Sequence, residues 1–206
     1  IYIIMSVELD SLKTGDLLLF SVELTFNPVT WFGKLIEVFT RSPYSHTGMI
    51  LRDPIWISSE LRGLYLWESS YEGIPDPQDG KVKLGVEITP ITQVLKSNYD
   101  SSIWCRRMNC PNDKLTVFNL MKIHSEIYDK PYDLNLGDWI DAYLRKETKP
   151  KTERFFCSAL VAFIYTKCKI LSDNTDWSII RPSDFDDEKC LKYQEQCFLG
   201  KFERLK

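Results

Sequence analysis

The run from Cys157 to Cys168 constrains this chain more than any other segment. It reads Cys-Ser-Ala-Leu-Val-Ala-Phe-Ile-Tyr-Thr-Lys-Cys and contains no helix breaker. It is apolar on nearly every side, so as a helix it must be buried and rigid. A chain that covers such a helix needs a sizeable core. With 206 residues, 44% of them apolar, this one can build it in a single domain, with the core over about residues 12–190.

Charge and composition then exclude several functions. Lys and Arg number 26 against 29 Asp and Glu, so no positive excess is available for phosphate backbones, and nucleic acid is not an expected partner. No apolar run approaches the roughly 18–20 residues of a membrane helix. The N-terminal residues Ile1–Met5 are followed by Glu8 and Asp10, which does not read as a secretory signal, and Met5 stands as a candidate start. A cytoplasmic location with six reduced thiols is therefore expected. Those cysteines and the two histidines lack zinc-ligand spacing, so neither a metal nor another cofactor is expected.

Along the chain, residues 15–20 read as a turn entering a buried strand, and further strands are predicted over 45–51, 64–69, 81–88 and 101–108, with a tail strand around 198–202. Helices are predicted over 31–41, 115–128, 138–145 and 157–168, and a Gly/Pro/Asp-rich loop over 73–80. Strands first and helices later predict an α+β fold.

Three positions could carry chemistry. Cys157 opens the buried helix, where the positive end of the dipole favours a thiolate; it could equally be a small buried hydrophobe. Two histidines could serve as its base. His46 lies on a short strand, and Gly48 two residues on leaves space beside the ring for another segment. His124 falls on the core-facing stripe of its helix, the usual place of a structural histidine, so His46 is favoured. Glu68 shares a strand face with Leu64 and Leu66. There it either pairs with an imidazole on the neighbouring strand or ends the strand facing water.

The ordered set of motifs resembles a known family. Gly15-Asp16, Tyr44-Ser45-His46 and Trp67-Glu68-Ser69-Ser70 come first. Tyr128 to Asp133, Phe156-Cys157-Ser158 and Arg181-Pro182-Ser183-Asp184 follow. The order is similar to that of the circularly permuted papain-like cysteine hydrolases of the YiiX/YaeF and poxviral type, within the NlpC-like superfamily. Lecithin:retinol acyltransferase-like enzymes are distant cousins. The resemblance implies a permuted papain-like fold, an antiparallel barrel-like sheet packed against helices. It implies Cys157 as nucleophile, His46 as base and Glu68 as orienter. Tyr44, Ser158 and Tyr132 would line the oxyanion or substrate region. The implied substrate is a peptide- or lipid-derived acyl compound. A lipid-directed acyltransferase or phospholipase is the alternative, suggested by the apolar stripe from Trp31 to Phe39 and implying peripheral membrane contact. A catalytically silent binding module is the other.

Overall fold

The computed structural model describes residues 8–22, 44–97, 101–133, 153, 155–186 and 190–205. The predicted helices over 31–41 and 138–145 lie outside the described residues, as does the charged loop 145–154 apart from Glu153.

Six strands form one antiparallel sheet: β1 (Leu17–Val22), β2 (His46–Arg52), β3 (Leu64–Ser70), β4 (Gly85–Pro90), β5 (Ser101–Asn109) and β6 (Phe198–Arg204). Their order across the sheet is β4-β3-β2-β1-β5-β6. Three α-helices accompany them among the described residues: α1 (Ile91–Ser97), α2 (Val117–Ile127) and α3 (Cys157–Lys167). The α+β expectation stands at this level. The barrel does not: the sheet is open, with β4 and β6 at its two edges. The outer side of β4 is already occupied. Val86 N–H donates to Lys130 O, Tyr132 N–H donates to Leu84 O, and Gly85 pairs with Pro131. That edge therefore cannot also pair with β6.

The central strands read as unbroken apolar runs because both faces of the sheet are covered. On one face Leu17, Leu19, Met49, Leu51, Tyr65 and Trp67 join the residues of α3 in the larger core. On the other, Leu18, Phe20, Ile50 and Leu66 pack with Ile91 and Val94 of α1. Every residue of α3 from Cys157 to Tyr165 is buried, as its all-round apolar sequence requires. It packs on β2 and β3, and the Tyr165 hydroxyl donates to Gly15 O, tying it to the turn before β1. Trp177 and Phe155 close its outer side through ring contacts with Phe163.

Predicted boundaries shift where side chains have local tasks. The first strand starts at Leu17, after the expected Gly15-Asp16 turn, where Gly15 has φ +98° and Asp16 accepts hydrogen bonds from the backbone N–H groups of Lys13 and Met108. The fourth starts at Gly85 rather than 81, because Lys83 is drawn to Asp76 and Asp79 at 2.8 and 3.0 Å. Helix α1 is absent from the sequence reading. Thr116 caps α2 by accepting from Asn119 N–H, which trims the predicted start from 115 to 117.

Gly48 also has a different surrounding from the one expected. The space beside it is filled by Leu66 of β3, whose Cγ would lie 2.7 Å from an added Cβ. Leu66 is fully buried, so it cannot swing aside. Gly48→Ala is therefore expected to destabilise the fold by about 1–3 kcal/mol through overpacking, read as a lower urea midpoint with unchanged slope. A variant as stable as the parent would show that the two strands are packed less closely.

Candidate active site

The site is built from the ends of three elements. His46 is the first residue of β2, Glu68 is near the end of β3, and Cys157 is the first residue of α3. In the β2·β3 register Met49 faces Trp67 and Ile50 faces Leu66. Glu68 therefore falls diagonally across from His46, within reach of a long side chain. The His46 Nε2 to Glu68 Oε2 distance is 2.6 Å. Glu68 is 1% exposed, so this is a buried carboxylate with an imidazole partner and not a strand end facing water. The Cys157 thiol is near enough to the same imidazole to raise its pKa through hydrogen bonding and charge.

Electrostatics follow from that geometry. Burial works against the imidazolium of His46. Hydrogen bonds of the ring to Cys157 and Glu68, with their charges, outweigh it and hold the His46 pKa well above 6.5. Burial pushes the Glu68 carboxyl up, while its bond to His46 pulls it down. Glu72 raises it further and the Thr89 hydroxyl lowers it. The other Glu68 oxygen, Oε1, is buried without a geometric hydrogen bond among the described residues.

The chain segment that delivers Cys157 is clamped on both sides. Ser69, next to Glu68, donates through Oγ to Phe155 O at 2.7 Å, two residues before the thiol. Phe155 O also accepts from Asp133 N–H, and Phe155 N–H donates to Pro131 O. Ser158 donates through Oγ to Ile180 O at 2.7 Å, so its hydroxyl is committed to anchoring the helix start. Tyr132 runs alongside Phe155 and feels the charge of Cys157, which with burial raises its pKa well above 10. The ring of Tyr44 instead stacks on Phe202 at 5.9 Å, and its phenol, pushed up to about 12 by burial, lies in the field of Asp186 and Arg106.

His124 is placed as a structural histidine. Its Nε2 meets Gln78 Oε1 at 2.7 Å, and its ring contacts Trp56, Trp67 and Tyr128. Burial lowers its pKa.

Two residues escape sequence reasoning. Ser69 is visible inside the Trp67–Ser70 motif, but nothing in its spacing signals a bond to residue 155. Glu87 faces Glu68 directly across the β3·β4 ladder and is equally buried. It accepts from Glu72 N–H. Burial, with the charges of Glu68, Glu72 and Asp76, raises its pKa to about 8. Only strand register brings these two acids together.

Two outcomes follow. Glu68→Gln removes one of the two groups that raise His46, so the imidazole pKa should drop, read by NMR of its ring nitrogens; an unmoved pKa would refute the coupling. Glu87 is raised from 4.5 to about 8, so the folded chain holds a proton that the unfolded chain has lost across that window. Its contribution to stability is present below 4.5 and is lost as pH rises toward 8, by at most about 1.4 kcal/mol per pH unit. Glu87→Gln should flatten that slope in denaturation curves taken between pH 5 and 8; an unchanged slope contradicts it.

Among the described residues no group of three or more His, Cys, Asp or Glu side chains is arranged to hold a metal ion, and no helix is long and apolar enough to cross a membrane. No family model and no curated protein matches the sequence. Among solved structures the chain is similar to the crystal structure of metalloprotein yiiX from Escherichia coli O157:H7. The two share 18% identity over 93% of this chain and 97% of that one, at a TM-score of 0.45.

Proposed function

We propose that the chain is a cysteine-dependent hydrolase or acyltransferase of the permuted papain-like kind, acting on an amide, ester or thioester. The observation that carries this reading is the convergence of a thiol, an imidazole and a buried carboxylate from positions 157, 46 and 68. The motif order noted in the sequence supports it independently.

In this mechanism the Cys157 sulfur attacks the acyl carbon while His46 takes the thiol proton. The C–S bond forms, the bond to the leaving nitrogen, oxygen or sulfur breaks, and His46 returns the proton to that atom. Water or a second acceptor then attacks the acyl-enzyme, with His46 again as base, and the thiol is restored. Glu68 fixes the ring through Nε2, which leaves Nδ1 for the thiol, and stabilises the imidazolium between the two transfers. The first-turn N–H groups of α3 have no intrahelical acceptor and suit the developing oxyanion. Tyr132 borders the same space. The stripe from Trp31 to Phe39 that suggests a lipid substrate lies outside the described residues, so the acyl group is assigned no further.

The reading is tested without knowing the substrate. A chloroacetamide probe at limiting concentration should label Cys157 ahead of the exposed Cys190, by peptide mapping, and His46→Ala should abolish that preference. On a panel of amides, esters and thioesters, Cys157→Ala should lower turnover by at least about 10³-fold with the fold intact by circular dichroism. Turnover that survives Cys157→Ala, or faster labelling of Cys190, sinks the proposal.

A further inference from the structure

A second cluster of thiols lies on the other side of the sheet's long axis, at the far end of the β5·β6 ladder. After an irregularity at Arg106/Met108, that ladder pairs Met108 with Leu199 and Asn109 with Phe198. Cys110 directly follows Asn109 and Cys197 directly precedes Phe198, so the two thiols lie just beyond the last paired residues of that ladder, where a continued register would oppose them. Directly opposed residues of antiparallel strands have Cα atoms about 4.5–5.5 Å apart. That lies inside the roughly 4.4–6.8 Å that a disulfide spans. Cys197 is buried, and half-buried Cys110 packs against the same core. Each is a free thiol, and the charge of Cys197 is felt at Cys110.

The pair is also reachable. A cavity of about 580 Å³ is lined by Cys110 together with Lys13, Asn109, Asn112, Gln196 and Phe198. Gln196 and Phe198 flank Cys197. The cavity offers a cation and three amides beside a thiol, a lining suited to a small peptide with carboxylates and amide bonds.

We propose that Cys110 and Cys197 are a redox-active thiol pair that closes to a disulfide by exchange with a low-molecular-weight peptide disulfide of the glutathione type. Cys110 lines the cavity, so its thiolate attacks first. One S–S bond of glutathione disulfide breaks, a mixed disulfide forms on Cys110, and one glutathione leaves. The Cys197 thiolate then attacks the Cys110 sulfur, forming the Cys110–Cys197 bond and releasing the second glutathione. Two protein thiols are oxidised by two electrons, and one glutathione disulfide is reduced to two thiols that take up the two protons. Burial raises the pKa of Cys110 to about 11 and also raises that of Cys197, so both rest as thiols. Closure joins the end of β5 to the start of β6 and encloses the whole segment that carries α3. Cys168, which follows α3 and feels the charge of Cys110, is the competing partner.

The experiment equilibrates the full chain in glutathione buffers of rising disulfide content, quenches with acid and N-ethylmaleimide, and maps peptides without reduction. A Cys110–Cys197 linked peptide should grow with the disulfide fraction. The oxidised chain should melt several degrees higher, and dithiothreitol should reverse both changes. In Cys197→Ser, glutathione should stay trapped on Cys110. A Cys110–Cys168 link, or no 110–197 link in excess glutathione disulfide while exposed Cys190 is modified, overturns the proposal. If the serine variant fails to fold, the parent map decides alone. Loss of Cys157 chemistry would leave this result untouched, so the two readings fail separately.

Discussion

The contact between His46 and Glu68 is the constraint around which the site is organised. A carboxylate that is 1% exposed is costly unless something answers its charge, and the imidazole 2.6 Å away answers it. The same contact commits the ring's Nε2 to the carboxylate. It also explains why the two strands must pack as closely as Gly48 and Leu66 allow. A wider spacing would part the diagonal pair and strand the carboxylate in the core. Glu87, directly opposite Glu68, adds a second acid to the same buried layer. Its neutralisation near neutral pH is the cheaper of two alternatives, the other being two like charges with little solvent.

The rest of the scaffold holds a helix terminus against that pair. An all-apolar helix can occupy only the middle of a core, and α3 takes that place on β2 and β3, the strands that carry His46 and Glu68. Its start is then set by polar clamps rather than by apolar packing. Ser69 holds Phe155, Ser158 holds Ile180, and Tyr165 holds Gly15. Apolar contacts would let the helix slide or rotate at little cost, because they are non-directional. Hydrogen bonds to single carbonyls fix its register and with it the position of the thiol. With its hydroxyl spent on Ile180 O, Ser158 serves the helix start as an anchor.

Much of the local structure was legible in the residues. Alternation and turn chemistry located the strands at His46, Leu64 and Ser101 to within a few residues, and the apolar run located α3 to within one. The stripe argument that set His124 aside agrees with its bond to Gln78 and its three aromatic neighbours. What failed did so for tertiary reasons. The strand predicted from residue 81 begins at Gly85 because Asp76 and Asp79 capture Lys83. The barrel opens because the 130–132 segment occupies the outer side of β4. Tyr44, two residues from His46 in sequence, is turned to Phe202, whereas Tyr132, distant in sequence, pairs with Phe155 just before the thiol.

By itself the sequence determined the local conformation that presents each candidate residue: a cysteine at a helix start, a histidine at a strand start, a glutamate on an apolar strand face. These are properties of short windows, set by periodicity, breakers and the helix dipole. Tertiary structure alone decided which of them meet. Strand register chose Glu68 as the partner of His46 and set Glu87 beside it. Packing of an all-apolar helix, pinned by single hydrogen bonds across more than eighty residues, brought Cys157 to the same point. Such meetings depend on loop closure and pairing between distant segments, and no local pattern encodes them.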